Sequence, residues 1–217
     1  AVGSEGEGKT AQVQLWRGLD YPGRPTNLRF WEDLETPGLI HATFDHPKRG
    51  YYGGYINPDE IWYLVDYLMM GSSSGVLDLG YGTEATFQLP VNASVQDIFA
   101  GSVYGRNSKG VIANSSNWAT QTAYVGAPLP LPVHESWAGM GQKSGIWGSQ
   151  SVDGSDTFDS FWDIRDGSIT EARPQDNDGG MLAIYSEPPG AGKRVLSPRV
   201  DVSQAANPTL VFYYRHT

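Results

Sequence analysis

Gly71-Ser72-Ser73-Ser74-Gly75 matches G-x-S-x-G, the pattern that exposes a nucleophilic serine on a strained strand-to-helix turn. The residues that follow, Val76 to Leu79, carry no helical apolar stripe of useful length, and no HGGG-type loop supplies an oxyanion hole. A serine-rich hairpin tip accounts for the composition. Gly190-Ala191-Gly192-Lys193 has the flavour of a phosphate loop, but no glycine stands at its leading position and Arg194 follows where Ser or Thr is needed, so it reads as a turn. His41, His46, His134 and His216 show no i, i+4 pairing of the kind that binds zinc, and solvent-facing strand positions explain them. Carboxylate pairs for glycoside hydrolysis are set by the fold, and the 24 Asp and Glu leave that chemistry open. No catalytic residue is assigned, and no triad, metal or cofactor signature marks the chain as an enzyme.

Two other groups point to binding. Asp176-Asn177-Asp178-Gly179-Gly180 places hard oxygen donors on a turn, and Ca²⁺ takes about six to eight such ligands. Pro174 stands where an EF-hand loop has its first acid, so a solvated acidic turn is the plainer account. Trp62, Trp118, Trp137, Trp147 and Trp162 offer faces on which a sugar could stack. Interior packing competes for them, because cores need large apolar side chains. Trp147 and Trp162 are left as the ligand-binding candidates.

The composition bounds what can position these residues. Among 217 residues, 27 Gly and 14 Pro interrupt long helices. Fifteen Lys and Arg against 24 acids give a net charge of −9, which repels phosphate backbones, so nucleic acid is not an expected partner. No run of 18 apolar residues suggests membrane insertion. Without Cys there is neither a disulfide framework nor a thiolate metal site. Ala1 to Thr10 shows no apolar signal-peptide core, so any export signal is expected upstream or already removed.

The spacing predicts an all-β chain. A short strand is expected at Ala11 to Trp16. The Gly- and Pro-rich stretch Gly18 to Pro25 follows, and then apolar runs at Leu28 to Trp31, Leu39 to Phe44, Ile61 to Met70, Ala85 to Leu89, Asp97 to Tyr104 and Asn117 to Val125. Ile40, Ala42 and Phe44 alternate with His41, Thr43 and Asp45, and Phe99, Gly101, Val103 and Gly105 share that period of two. Asn57-Pro58-Asp59-Glu60 has the features of a helix start, and the periodicity of Ile61 to Met69 leaves helix and strand nearly even.

Pro25-Thr26-Asn27-Leu28, then Ile40 to Pro47, then Gly53-Gly54-Tyr55-Ile56-Asn57-Pro58 leading into Ile61 to Val65, resembles the fibronectin type III modules of Bacteroidetes surface proteins. Phe44 stands where that family usually has Trp. The resemblance spans Tyr21 to Ala127 and implies strand C over Ile61 to Val65. After Gly126-Ala127-Pro128-Leu129-Pro130-Leu131-Pro132, the order Glu135-Ser136-Trp137, a Gly-rich strand Gly180 to Ser186, Leu196-Ser197-Pro198-Arg199-Val200-Asp201 and Asn207-Pro208-Thr209-Leu210 resembles the jelly-roll modules called MAM-like or choice-of-anchor J, related to cleaved adhesin domains. That likeness implies a structural calcium near Glu135, with Asp176 and Asp178 as further ligands. It also implies a β-sandwich for which residues 128–217 are too short.

The expectation is therefore an N-terminal segment and linker (1–20), a fibronectin type III-like sandwich (21–127) and a truncated jelly-roll sandwich (128–217). Pro-rich connectors would hold the modules apart. The function expected is non-catalytic: a secreted or cell-surface bacterial adhesion or spacer module that binds a protein or glycan. The alternative is a carbohydrate-binding accessory region of a secreted glycoside hydrolase or peptidase. The strand Leu210 to Tyr214 would pair with the rest of the parent protein or with another chain.

Overall fold

A computed structural model of the chain describes residues 18–69, 73–110, 112, 115–137, 147–151, 162–166, 180–184 and 193–214. The strand expected at Ala11 to Trp16 lies outside them. Seven antiparallel strands build a sandwich: β1 (Thr26–Glu32), β2 (Leu39–Asp45), β3 (Trp62–Met69), β4 (Ser74–Tyr81), β5 (Glu84–Gln88), β6 (Asp97–Arg106) and β7 (Ala119–Val125). One sheet has the order β1-β2-β5 and the other β4-β3-β6-β7. This three-on-four arrangement is the strand order of fibronectin type III sandwiches, and the chain is all-β as its spacing predicts.

Alternation decides which side chains meet between the sheets. Ile40, Ala42 and Phe44 of β2 face Tyr63, Val65 and Met69 of β3 and Phe99 and Val103 of β6, all buried. The ring of Phe99 is the centre of this layer, edge-on to Phe30 at 5.0 Å and near Tyr67 at 6.1 Å and Phe87 at 5.9 Å. The inward glycines of β6 now have a reason. A Cβ on Gly101 would sit 2.7 Å from the Phe30 ring, and one on Gly105 would sit 2.5 Å from Ile61. At Pro58–Glu60 both readings of the sequence find a place: one 3-10 turn starts at the Asn-Pro signal, and the chain then enters β3 as a strand.

Three sequence expectations are corrected. β4 was not anticipated; it begins in the serine-rich stretch, where no helix follows, so the nucleophile-elbow geometry is absent. Pro208 to Tyr214 was expected as a strand but has no ladder partner among the described residues. Leu210, Val211, Phe212, Tyr213 and Tyr214 are instead between 69% and 86% exposed. The connector after Val125 does not act as a free spacer either. Leu129–Pro130 (β8) pairs in parallel with Val200–Asp201 (β13).

The connector is fixed by a buried carboxylate. Glu32, at the end of β1, accepts the backbone N–H of Gly38 at 2.7 Å and that of Gly126 at 3.0 Å, and pairs with the Arg199 guanidinium at 2.7 Å. Arg199 also donates to the Gly126 carbonyl. Its backbone is gripped by Gln96, whose amide accepts the Arg199 N–H at 2.7 Å and donates to the Arg199 carbonyl at 2.9 Å. A second tie joins one further strand pair to the outer side of the four-stranded sheet. The Tyr124 hydroxyl donates to the Leu196 carbonyl at 2.6 Å and accepts the Gly148 N–H at 3.1 Å. These two residues are opposite one another in the pairing of β9 (Gly148–Ser151) with β12 (Lys193–Leu196). β10 (Trp162–Asp166) and β11 (Gly180–Ile184) form a further antiparallel pair.

Glu32→Ala removes the acceptor of two buried backbone donors and the partner of a guanidinium, and it is expected to lower unfolding free energy by about 3 kcal/mol or more in urea titrations. Burial pushes the Tyr124 hydroxyl up to about 12 from an ordinary 10.0. A group raised in this way stabilises fully below its unfolded value, and its contribution is lost as pH climbs from 10 through 12. Tyr124→Phe should therefore lower stability at neutral pH and flatten its fall across that alkaline window, read by thermal melts at stepped pH.

Candidate functional site

The sandwich has two unlike ends. At one, the β1–β2 loop and the residue after β7 are occupied by Glu32, Arg199 and the connector. The other carries the loop between β2 and β3, the turn between β4 and β5, the loop between β6 and β7, and the entering segment before β1. Three of them, all but the β4–β5 turn, meet at Asp20.

Asp20 is fully buried. Its Oδ1 accepts the N–H of Tyr21 at 2.7 Å, and its Oδ2 accepts those of Tyr52 at 2.9 Å and Gly54 at 2.8 Å. Its own N–H donates to the Tyr55 carbonyl at 3.0 Å, and its carbonyl accepts the Asn107 amide at 3.4 Å. Carboxylate and backbone thus fasten the β2–β3 loop, and the β6–β7 turn touches the same residue. The loop can come this close because Gly50 and Gly54 lack a Cβ; one built on Gly50 would lie 2.3 Å from the Asp20 side chain.

What this clamp presents is aromatic. Tyr51, Tyr52 and Tyr55 stand exposed on the fastened loop, Tyr55 at 69%. The Tyr51 and Tyr52 rings meet edge-on at 4.8 Å, and Tyr52 leans on Tyr21 at 5.8 Å. The register of the four-stranded sheet continues this surface onto its outer face. Trp62 lies opposite Tyr81 on one side and Arg106 on the other, with Tyr81 edge-on at 4.7 Å and the guanidinium 5.2 Å above the indole. One row further along β6, Tyr104 and Trp118 stack at 4.1 Å, 14° from parallel. Burial, with the Asp66 carboxylate adding to it, pushes the Tyr104 hydroxyl above its usual value. Beside these residues lies a shallow hollow of about 10 Å³ lined by Asp20, Pro22, Ile56, Glu60, Ile61 and Asn107.

The residues expected from the sequence sit elsewhere. Trp147 and Glu135 do come together: the Trp147 indole donates to Glu135 Oε2 at 3.0 Å, and the Trp137 N–H approaches Oε1 at 3.4 Å. The Trp137 and Trp147 rings are 5.0 Å apart. Both Glu135 oxygens thus meet N–H donors. Asp176 and Asp178 lie outside the described residues, and among those described no three His, Cys, Asp or Glu gather as a metal site. Trp162 belongs to β10. Of the histidines, His41 stacks on Trp31 at 5.2 Å and meets Asp33 at 3.5 Å, while His46 shares a 2.8 Å hydrogen bond with the Tyr63 hydroxyl. His216 is outside the described residues.

Trp62 and Trp118, which the sequence placed among the possible stacking residues, are half-buried on the outer face and not in the core. Asp20, Tyr51, Tyr52, Tyr55, Tyr81 and Arg106 had not been singled out. The signal for the loop was present in Gly50-Tyr51-Tyr52-Gly53-Gly54-Tyr55, where tyrosine density among glycines marks a segment that shows rings to solvent.

No family model matches the chain, and no curated protein does. Among solved structures it is similar to the crystal structure of the chicken CNTN1 FN1-FN3 domains, at 14% identity and a TM-score of 0.35 over 84% of this chain. The match spans 59% of that structure.

Asp20→Ala leaves three backbone donors without their acceptor. It should cost about 2–4 kcal/mol in chemical unfolding and speed amide exchange at Tyr52 and Gly54 well beyond that at β3, measured by hydrogen–deuterium exchange.

Proposed function

We propose that the chain is a non-catalytic binding module of a bacterial secreted or cell-surface protein, serving adhesion, and that it meets a protein or glycan ligand at the Asp20 loop end. The observation that carries this reading is a set of exposed tyrosines whose backbone is fastened in advance. Rigid aromatic side chains supply contact area at low entropic cost, and a loop already held in place loses little freedom on binding. The opposite end supports the assignment, since Glu32 and Arg199 tie the following residues there and leave the aromatic end clear of them. No helix among the described residues is long and apolar enough to cross a membrane.

The alternative, an accessory carbohydrate-binding region of a secreted hydrolase, would put the ligand on Trp147 and Trp162. The exposed, unladdered run Leu210 to Tyr214 favours a further contact in either case. A stretch apolar on both faces is what a strand buried in a sandwich looks like, and its partner would be the rest of the parent protein or another chain.

Glycan and protein arrays probed with the full chain should give discrete binding that drops about tenfold or more on Tyr55→Ala or Tyr52→Ala and holds on Trp147→Ala. Loss confined to Trp147→Ala would move the ligand to the second aromatic cluster and favour the accessory reading.

A further inference from the structure

The outer face of the four-stranded sheet is divided. Alternation turns Phe99 and Val103 of β6 into the core, so Ile98, Ala100, Ser102, Tyr104 and Arg106 belong to the outer face. Ile98 and Ala100 are nevertheless buried, at the end where Tyr124 holds the β9–β12 pair. Toward the loop end the same face is open, and Tyr81 and Val76 are exposed on it. Two aromatic groups stand on this open half. Tyr81 lies against Trp62, whose ring already carries Arg106, and Trp118 lies on Tyr104. Tyr104 is buried beneath the near-parallel Trp118 ring although its strand position faces outward, and a ring backed in this way has only its other face to offer a ligand. Charges of both signs are interleaved with these rings: Asp66 and Asp78 on the face, Glu60 on the 3-10 turn, Arg106 over Trp62 and Lys109 on the β6–β7 turn. No field of a single sign leaves this surface.

Resting on the reading above, which puts the ligand at this end, we infer that the open half of the face takes an uncharged polysaccharide of equatorially linked pyranose rings, lying across the strands between Tyr81 and Trp118. These two residues are three strand spacings apart, about 14 Å, which a run of linked rings spans and a single sugar does not. Such a chain is a flat ribbon with axial C–H groups on both faces, and it needs aromatic platforms, not a cavity. The surface has that shape. It is a pleated sheet, and the hollow beside it, about 10 Å³, is far below the size of a small-molecule pocket. Sugar hydroxyls both donate and accept, so they are served by polar groups of mixed kind. One row supplies Asp66, Ser102 and Thr120, and Arg106 stands two rows nearer the loops. The same mixture tells against a protein ligand, since the centre of a protein interface is depleted of charged residues. The net charge of −9 repels anionic polymers of every kind and leaves a neutral one unaffected.

The test is native affinity electrophoresis of the full chain in gels cast with hydroxyethyl cellulose, glucomannan, dextran or soluble starch, beside a gel without polysaccharide. Retardation is expected in at least one of the first two, whose rings are equatorially β-linked, and not in α-linked dextran or starch. Because the ligand is uncharged, retardation should change less than about twofold as salt rises from roughly 50 to roughly 300 mM. Tyr81→Ala alters an exposed side chain and should weaken it at least about fivefold. Trp118→Ala should do the same, and Trp118→Phe should keep part of it because a ring remains. Retardation that survives both Tyr81→Ala and Trp118→Ala overturns the platform, and retardation matched by dextran or starch overturns the ribbon. No retardation in any gel overturns the polysaccharide, and the arrays then judge the underlying reading separately: a protein ligand lost on Tyr55→Ala leaves the binding end standing. Retardation lost on Trp147→Ala alone removes both.

Discussion

Asp20 is a buried carboxylate whose oxygens are met by three N–H groups of the backbone it organises. Withdrawing an ionised group from solvent is tolerable only when its lone pairs are met, and here the donors come from both the entering segment and the β2–β3 loop. The loop has backbone hydrogen bonds of its own, from Gly50 N–H to the Gly54 carbonyl, from Gly53 N–H to the Gly50 carbonyl and from Tyr51 N–H to the Tyr21 carbonyl, and the carboxylate adds the ties at Tyr52 and Gly54. Gly50 and Gly54 make the approach possible, and the tyrosines beside them point outward because their own backbone is turned inward toward Asp20.

Glu32 solves the same problem at the other end with one difference: a guanidinium distant in sequence joins the backbone donors. A buried ion pair of this kind adds little net stability over an apolar substitute, but it specifies which surfaces meet, since any other docking leaves a charge unanswered. The sandwich is thus bounded by two buried acids with opposite consequences. One closes an end against the chain that follows, and the other opens an end to whatever the aromatic loop contacts.

Much of the sandwich could be read from its residues. The alternation of Ile40, Ala42 and Phe44 and the inward series Phe99, Gly101, Val103 and Gly105 correspond to observed buried faces, because a core on one side imposes a period of two. β4 escaped notice for a physical reason. It is an edge strand with glycine, serine and aspartate at many positions, and the pairing with β3, not an apolar pattern, makes it a strand. The clamp at Asp20 was illegible because its partners are main-chain donors, which any residue supplies, reached across 34 positions of sequence. The tryptophans show the limit of residue type. Which of them face outward is fixed by strand register, which composition does not contain: Trp62 and Trp118 lie on the outer face.

The grip on Arg199 alters how tension would travel through the molecule. A pull on the residues after Asp201 reaches β13 first, passes into β8 through their parallel pairing, and enters the sandwich at Glu32, Gln96 and Gly126. Parallel strands pulled lengthwise resist as a sheared set rather than opening one bond at a time. The aromatic end, at the opposite pole of the sandwich, lies outside that path.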